Sequence, residues 1–482
     1  MTKINWHRQH KWSGIAAAIL LLLFCLSGIV LNHRDFVSDC ELSRRWLPSW
    51  YEFKGWNGGL LRGTVRYNDK ILIYGSNGVW ITDSVASSIE DFNAGIPDAA
   101  DHRQIKGIAE RHGVYYAVTP EALYRLSGSL WKKEPIEIDE GERLSDIAVR
   151  GDSLVVVGRS NLYLSSGRET GFLKVEVPAE EGSERRVSLF KAVWMLHSGE
   201  LFGVIGKIIV DMIAGILIFI SLTGLVIWLI PKEIRIRVRH HRSITGMSRF
   251  VKCNFSWHNK IGGMTILLTL LIAVTGWCLR PPMMIPLALT TTRTIPGTTL
   301  DNENPWHDKL RMIRYDNMSG EWLLSTSDGF YVLDELTSCP ERAVQAPPVS
   351  VMGLNVWERD SCGVWICGSF SGLYRWYRNR DIVTDYFTGK VSENKSGPPF
   401  GKFAASGYSR EFNTAVEYYA GTNVLSQPDE MKYLPMSLWG LALEAHSGRL
   451  FLGSIATYVF IFFTGLVIIW SLWSGWKVHQ KR

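Results

Sequence analysis

Four stretches of about twenty apolar residues, at 13–31, 208–229, 261–279 and 452–473, are separated by polar blocks of very different length. Each is long enough to cross a bilayer as a helix. The two longest polar blocks are too large to be loops, so the chain is neither a wholly soluble protein nor a bundle of membrane helices alone. The overall composition, 46% hydrophobic and 20% charged over 482 residues, is an average over these two kinds of segment. Aromatic residues cluster at the ends of the apolar stretches, where interfacial side chains belong.

Charge orients the spans. The segment 231–252 carries Lys232, Arg235, Arg237, Arg239, Arg242, Arg249 and Lys252 against one acid, Glu233, which predicts a cytoplasmic loop. Lys3, Arg8 and Lys11 before the first span, and Lys477, Lys481 and Arg482 after the last, agree. Both termini are then expected inside and both long blocks outside. The resulting plan is a terminus and first helix (1–31), an insert (32–187), a second helix with its pre-helix (188–231), a basic loop (232–257), a third helix (258–280), a second insert (281–435) and a fourth helix with its tail (436–482). The first span reads as retained rather than as a cleaved leader: Phe24 before Cys25 spoils a lipoprotein-type site, and no small-x-small site follows. A net charge of only +6, with the basic residues beside the spans, argues against a nucleic-acid partner.

The chain repeats itself. His10-Lys-Trp-Ser-Gly14 leads to Ser27-Gly28, and 248 residues later His258-Asn-Lys-Ile-Gly262 leads to Thr275-Gly276. His197-Ser-Gly precedes Thr223-Gly224 and Trp228, while His446-Ser-Gly precedes Thr464-Gly465 and Trp470. Two copies of a two-helix unit, each interrupted by an insert, make up the protein. Within the inserts, 71–81, 114–125, 154–164, 322–332 and 364–375 each read strand, polar turn, strand, with turn residues Gly78, Ala122 and Asn161 44 and 39 apart and Gly329 and Gly372 43 apart. That is the period of β-propeller blades. The expected fold is therefore a membrane protein with a four-span α-helical core of two duplicated units and an all-β, propeller-like extracytoplasmic domain. Generic hairpins in two separate small domains are the alternative.

Histidines at the span ends are the residues best suited to chemistry. On an ideal helix His10, Gly14 and Gly28 share one face, and His258, Gly262 and Gly276 repeat the set. An imidazole above glycines leaves a groove into which a flat macrocycle fits, as a membrane b-type haem requires; glycine-mediated helix packing is the competing reading. His197 and His446 form a second matched pair, which an unbroken helix would put roughly 13–17 Å beyond the lipid core. His33, about 34 Å of helix from His10, is a further outer candidate. Asp211, inside the second span, is a proton-handling candidate or a contact of Lys207 one turn away. His7, His240, His241 and His479 sit among basic residues facing phospholipid, and His102, His112 and His307 lack ligand spacing.

Of seven cysteines, Cys25 and Cys278 fall in spans and Cys253 inside. Cys40, Cys339, Cys362 and Cys367 fall outside, where a Cys40–Cys339 bridge between inserts is open but has no support from spacing. No CxxC, Walker loop, GxGxxG or HExxH occurs, so a nucleotide-driven pump, a flavin or nicotinamide domain and a zinc protease lose their usual sequence evidence.

The set His10-x-Trp12-x-Gly14, Ser27-Gly28 and Leu31-Asn-His33, with Leu196-His-Ser-Gly-Glu-Leu-Phe-Gly203, Leu222-Thr-Gly224 and Trp228, resembles the PepSY-associated transmembrane family of bacterial inner-membrane proteins. That family includes iron-regulated proteins and haem-containing ferrisiderophore reductases. The likeness covers the helices and their flanks but not the inserts, and Lys260 stands where the first copy has Trp12. It implies an inner-membrane protein with a periplasmic domain and one or two haem b. His10, His258, His197 and His446 would be axial ligands of the haem iron, with His33, Gly14, Gly28, Gly262 and Gly276 in the cofactor site. It further implies one-electron transfer from an unidentified donor, near His10 and His258 first and then near His197, His446 or His33, to a ferric siderophore or other ferric chelate outside. The lipid bilayer is a partner on this reading, and a homo-oligomer is compatible with it. A non-enzymatic scaffold or accessory of an iron-uptake system, whose β domain binds a partner, is the alternative. A permease is the weakest reading, since four spans show no clear polar path.

Overall fold

A computed structural model describes residues 5–480 apart from 168–170, 183, 351–352, 361, 394–396, 398–400 and 453. Lys3, Lys481 and Arg482 therefore lie outside the described residues. The chain forms two compact units: a helical one (Met1–Val37, Glu184–Asp301 and Leu438–Arg482) and an all-β one (Ser38–Ser183 and Asn302–Ser437). Both inserts thus build a single domain rather than two. Their ends, 32–37, 184–187 and 281–301, belong to the helical unit.

The helical unit contains α1 (Trp6–Asn32), α2 (Arg34–Val37), α3 (Leu189–Ser198), α4 (Gly203–Arg239), α5 (Thr245–Cys278), α6 (Met284–Ala288), α7 (Leu438–His446) and α8 (Ser454–Gln480). Among the described residues four of these, α1, α4, α5 and α8, are long and apolar enough to cross a membrane. They form a ring in which α1 packs on α4 and α8, and α5 packs on the same two, so α1 and α5 are diagonal. The Asn5 side chain accepts from the Arg8 N–H and starts α1. Helices α4 and α5 run past their apolar stretches into the basic segment, so Lys232, Arg235, Arg237 and Arg239 ride on a helical extension.

The His-Ser-Gly triplets end short helices rather than continue long ones. Gly199 (φ +83°) and Gly448 (φ +74°) turn the chain in the left-handed region, and a Cβ would overlap the Gly206 carbonyl of the next helix at the first and the Ile461 side chain at the second. His197 and His446 accordingly lie on α3 and α7, and the straight-helix distance expected for them does not apply.

Among the described residues the all-β unit has five four-stranded antiparallel sheets, each a consecutive meander, at 63–91, 107–134, 144–175, 310–342 and 356–385, and a two-stranded sheet at 405–417. The five expected hairpins are the middle pair of strands in each meander. Alternate residues of a strand serve different neighbours. Leu72 and Tyr74 pack on the second sheet, while Ile73 packs with Val416 of the sixth. Leu154 and Val156 face the second sheet and Val155 and Val157 the fourth. The same succession joins fourth to fifth and fifth to sixth. Apolar runs such as Leu154-Val-Val-Val157 follow from this, because both faces are covered. Strands Glu41–Ser43 and Pro435–Ser437 pair at the two ends of the unit. All seven cysteines are free thiols, Cys40 and Cys339 included.

Candidate functional site

The four histidines of the duplicated motifs come together as two pairs in the helical unit. The rings of His10 (α1) and His258 (α5) have centroids 6.0 Å apart, tilted by 47°. Those of His197 (α3) and His446 (α7) are also 6.0 Å apart, tilted by 46°.

Each ring meets a glycine on a different helix. A Cβ on Gly475 would lie 2.9 Å from His10 Cε1, one on Gly224 3.4 Å from His258, one on Gly276 2.7 Å from His197 and one on Gly28 3.2 Å from His446. Each ring is also anchored at Nδ1. His10 Nδ1 donates to the Ser471 carbonyl (3.0 Å), His258 to that of Ile220 (3.1 Å) and His446 to that of Phe24 (2.9 Å); a carbonyl can only accept, so these nitrogens carry the proton. His197 Nδ1 bonds Thr275 Oγ1 (3.1 Å), whose own proton goes to the Leu271 and Ile272 carbonyls. Thr223 Oγ1 and Ser27 Oγ take the same place beside His258 (3.0 Å) and His446 (3.1 Å).

One module therefore recurs four times: Ser27-Gly28, Thr223-Gly224, Thr275-Gly276 and Ser474-Gly475. The glycine admits the ring, the carbonyl four residues earlier lies at Nδ1, and the hydroxyl beside the glycine bonds back into its own helix. With Nδ1 protonated, Nε2 is the lone-pair nitrogen, and among the described residues it makes no hydrogen bond in any of the four. Burial, with His446 alongside, pushes His197 down to about 3, and burial pushes His446 down to about 4, so the outer pair is neutral near pH 7.

Several expected members belong elsewhere. His33 Nε2 bonds Asp211 Oδ2 at 2.8 Å, and Asn32 donates to Asp211 Oδ1 at 3.1 Å, so His33 joins neither pair. Lys207 pairs with Glu200 at 3.3 Å, which leaves Asp211 to His33 and Asn32. Helix periodicity puts Gly28 on the face of His10 and Gly276 on that of His258, yet these glycines receive the rings of His446 and His197 because an imidazole reaches across to a neighbour. Gly14 lies against Ser471 Oγ and Gly262 near Ile220, neither against a histidine. Gly475 receives the ring of His10, whereas Gly465, the motif match of Gly224, receives no histidine. Gly465 is filled by Trp277, whose Nε1 donates to the Phe462 carbonyl at 3.1 Å.

A family model for the PepSY-associated TM region matches residues 2–230 and 162–482. No curated protein matches the chain. Among solved structures, the extracellular domain of a hybrid two-component system from B. thetaiotaomicron is similar at 9% identity and a TM-score of 0.33, covering 70% of this chain and 29% of that one. The extracellular domain of a one-component system from the same organism is similar at 8% and 0.30, covering 73% and 36%. The chain thus spans about a third of the length of these two; at such TM-scores they carry no argument. The match to the family model runs over both halves of the duplicated helical unit and both histidine pairs, and the chain belongs to the PepSY-associated transmembrane family.

Proposed function

We propose that this multi-pass membrane protein is a haem-dependent reductase of the bacterial inner membrane that passes single electrons to a ferric siderophore or other ferric chelate outside. The observation that carries this reading is the fourfold module: two pairs of imidazoles, each with Nδ1 tied to a helix and Nε2 without a hydrogen bond. Two metal–imidazole bonds of about 2 Å, with roughly 1 Å from each nitrogen to its ring centre, span about 6 Å. Both pairs have that separation. Among the described residues no group of three or more His, Cys, Asp or Glu is placed to hold a bare ion. Two imidazoles suit a metal that brings its own equatorial donors, as haem iron does.

On this reading His10 and His258 hold an inner haem b and His197 and His446 an outer one. The Nδ1 bonds fix the tautomer and raise the basicity of Nε2, and the glycines keep Cβ atoms away from the rings. Bound haem supplies reversible one-electron transfer. The basic segment 231–252 and both termini are cytoplasmic by the excess of Lys and Arg, and the all-β unit is propeller-like and periplasmic. Siderophores hold Fe(III) far better than Fe(II), so one electron delivered to the chelate releases its metal.

The test is an absorption spectrum of protein purified from haem-replete cells, before and after dithionite. Low-spin, bis-histidine bands in both states are expected. Colourless protein would overturn the proposal and leave the scaffold role.

A further inference from the structure

The all-β unit contains a cavity of about 150 Å³ whose wall includes Arg62, Ser76, Lys106, Asn355, Ser406 and Tyr418. Most of its polar side chains are already engaged. Ser76 donates to Asn77 Oδ1 (3.3 Å), Asn355 to the Ala405 carbonyl (2.9 Å), Ser406 to the Val416 carbonyl (3.2 Å) and Lys106 to Gln104 Oε1 (3.4 Å). Arg62 differs: among the described residues its guanidinium makes no hydrogen bond or ion pair, and its Nε is fully buried. Asp146, an acid close enough to act on its charge, is held through Oδ2 by Arg314 (2.5 Å) and the Ile313 N–H (3.0 Å). Glu358, 4.0 Å from Arg314, faces that same arginine.

Arg62 is half-buried with its Nε shut off from solvent; a buried guanidinium nitrogen without a partner is costly, and a folded chain that keeps one gains by receiving an anion there. The planar fork of Arg matches two oxygens of a carboxylate or phosphate, and Lys106 adds a second positive charge to the wall. A cavity of ~150 Å³ holds a molecule about the size of benzene, so the occupant is small or is the acidic end of something larger. We infer that the all-β unit binds a small oxyanion, a carboxylate or phosphate group, at Arg62 with Lys106 in support. This inference does not rest on the haem proposal, and either can fail without the other.

The experiment is calorimetric titration of the full-length protein in detergent with acetate, citrate and inorganic phosphate, with chloride at matched ionic strength as control. Saturable binding of at least one oxyanion and none of chloride is expected. Arg62→Gln should weaken that binding about tenfold or more, and Lys106→Gln by a smaller factor. Preference for phosphate marks an inorganic anion and preference for acetate or citrate a carboxylate, and either supports the site. No saturable binding to the wild type would overturn the inference and leave water between Arg62 and the unpaired Asp146 Oδ1. So would an Arg62→Gln protein that binds as tightly as the wild type. Should Arg62→Gln fail to fold, unchanged affinity in Lys106→Gln overturns the inference and weakened affinity supports it.

Discussion

The imidazole of His197 lies so close to Gly276 that a Cβ there would stand 2.7 Å from Cε1, whereas one on Gly215 would meet nothing within 4 Å. Both glycines are in membrane-spanning helices, but only one is filled by a ring. Gly276→Ala should displace His197, cost about 1–3 kcal/mol of stability and, on the proposed function, empty the outer haem site. Gly215→Ala should leave haem content and melting temperature unchanged. Haem per protein and thermal unfolding of the two variants check this.

The inner pair should behave as a unit. His10→Ala and His258→Ala should each remove the inner haem and leave the outer one, and the double variant should do no more than either single, because one imidazole without its opposite cannot complete the same ligation. Haem quantification of the three variants decides it; additive losses would contradict a shared site.

The hydroxyl of Thr223 accepts from His258 Nδ1 at 3.0 Å and donates to the Phe219 and Ile220 carbonyls. Thr223→Val keeps the shape and removes one of the two acceptors at Nδ1, leaving the Ile220 carbonyl. Supporting partners of metal-bound histidines are worth about 10–100-fold in affinity, so the inner site should lose haem on dilution at that rate while the outer site does not. Haem retention on gel filtration at falling protein concentration measures it.

His33 is engaged by Asp211, so His33→Ala should leave the haem stoichiometry intact. Its effect should be on stability, about 1 kcal/mol, because the carboxylate of Asp211 keeps the Asn32 bond. Loss of a haem from this variant would put His33 back among the ligands.

Acid should weaken the all-β unit at Asp316. Desolvation favours its neutral form most strongly of any single influence, but bonds from the Met318 N–H (3.0 Å), Trp365 Nε1 (3.3 Å) and Arg359 outweigh it and hold the carboxyl below its ordinary value. Arg378 adds a further bond at 3.1 Å. A depressed carboxyl stabilises the fold above its unfolded pKa, and that stability is lost as pH falls through the folded value. The thermal midpoint should therefore drop below about pH 4. Asp316→Asn should remove this part of the pH dependence and cost about 3 kcal/mol at neutral pH, since Arg359 loses its counter-ion while Arg378 keeps Glu321 at 2.8 Å. Circular-dichroism melts of both proteins across pH 3–7 test it.

The amino-acid order alone determined the four spans, their doubling, the matched histidines and the hairpins of the inserts. These are local signals: the length of an apolar run, a repeated motif, a strand with its turn. Tertiary structure decided which ring meets which glycine. The spacing along α1 ties His10 to Gly28, but the ring that enters at Gly28 is that of His446, and His10 enters at Gly475 on α8. Gly465 looks like the counterpart of Gly224 by its flanking Thr and Trp, yet a tryptophan of α5 fills it. Spacing on one helix fixes only a face, whereas contact depends on which neighbour lies across from that face and at what height. The Ser or Thr before glycine in all four helices was present to be read. It became informative only once the folded chain placed an imidazole over each.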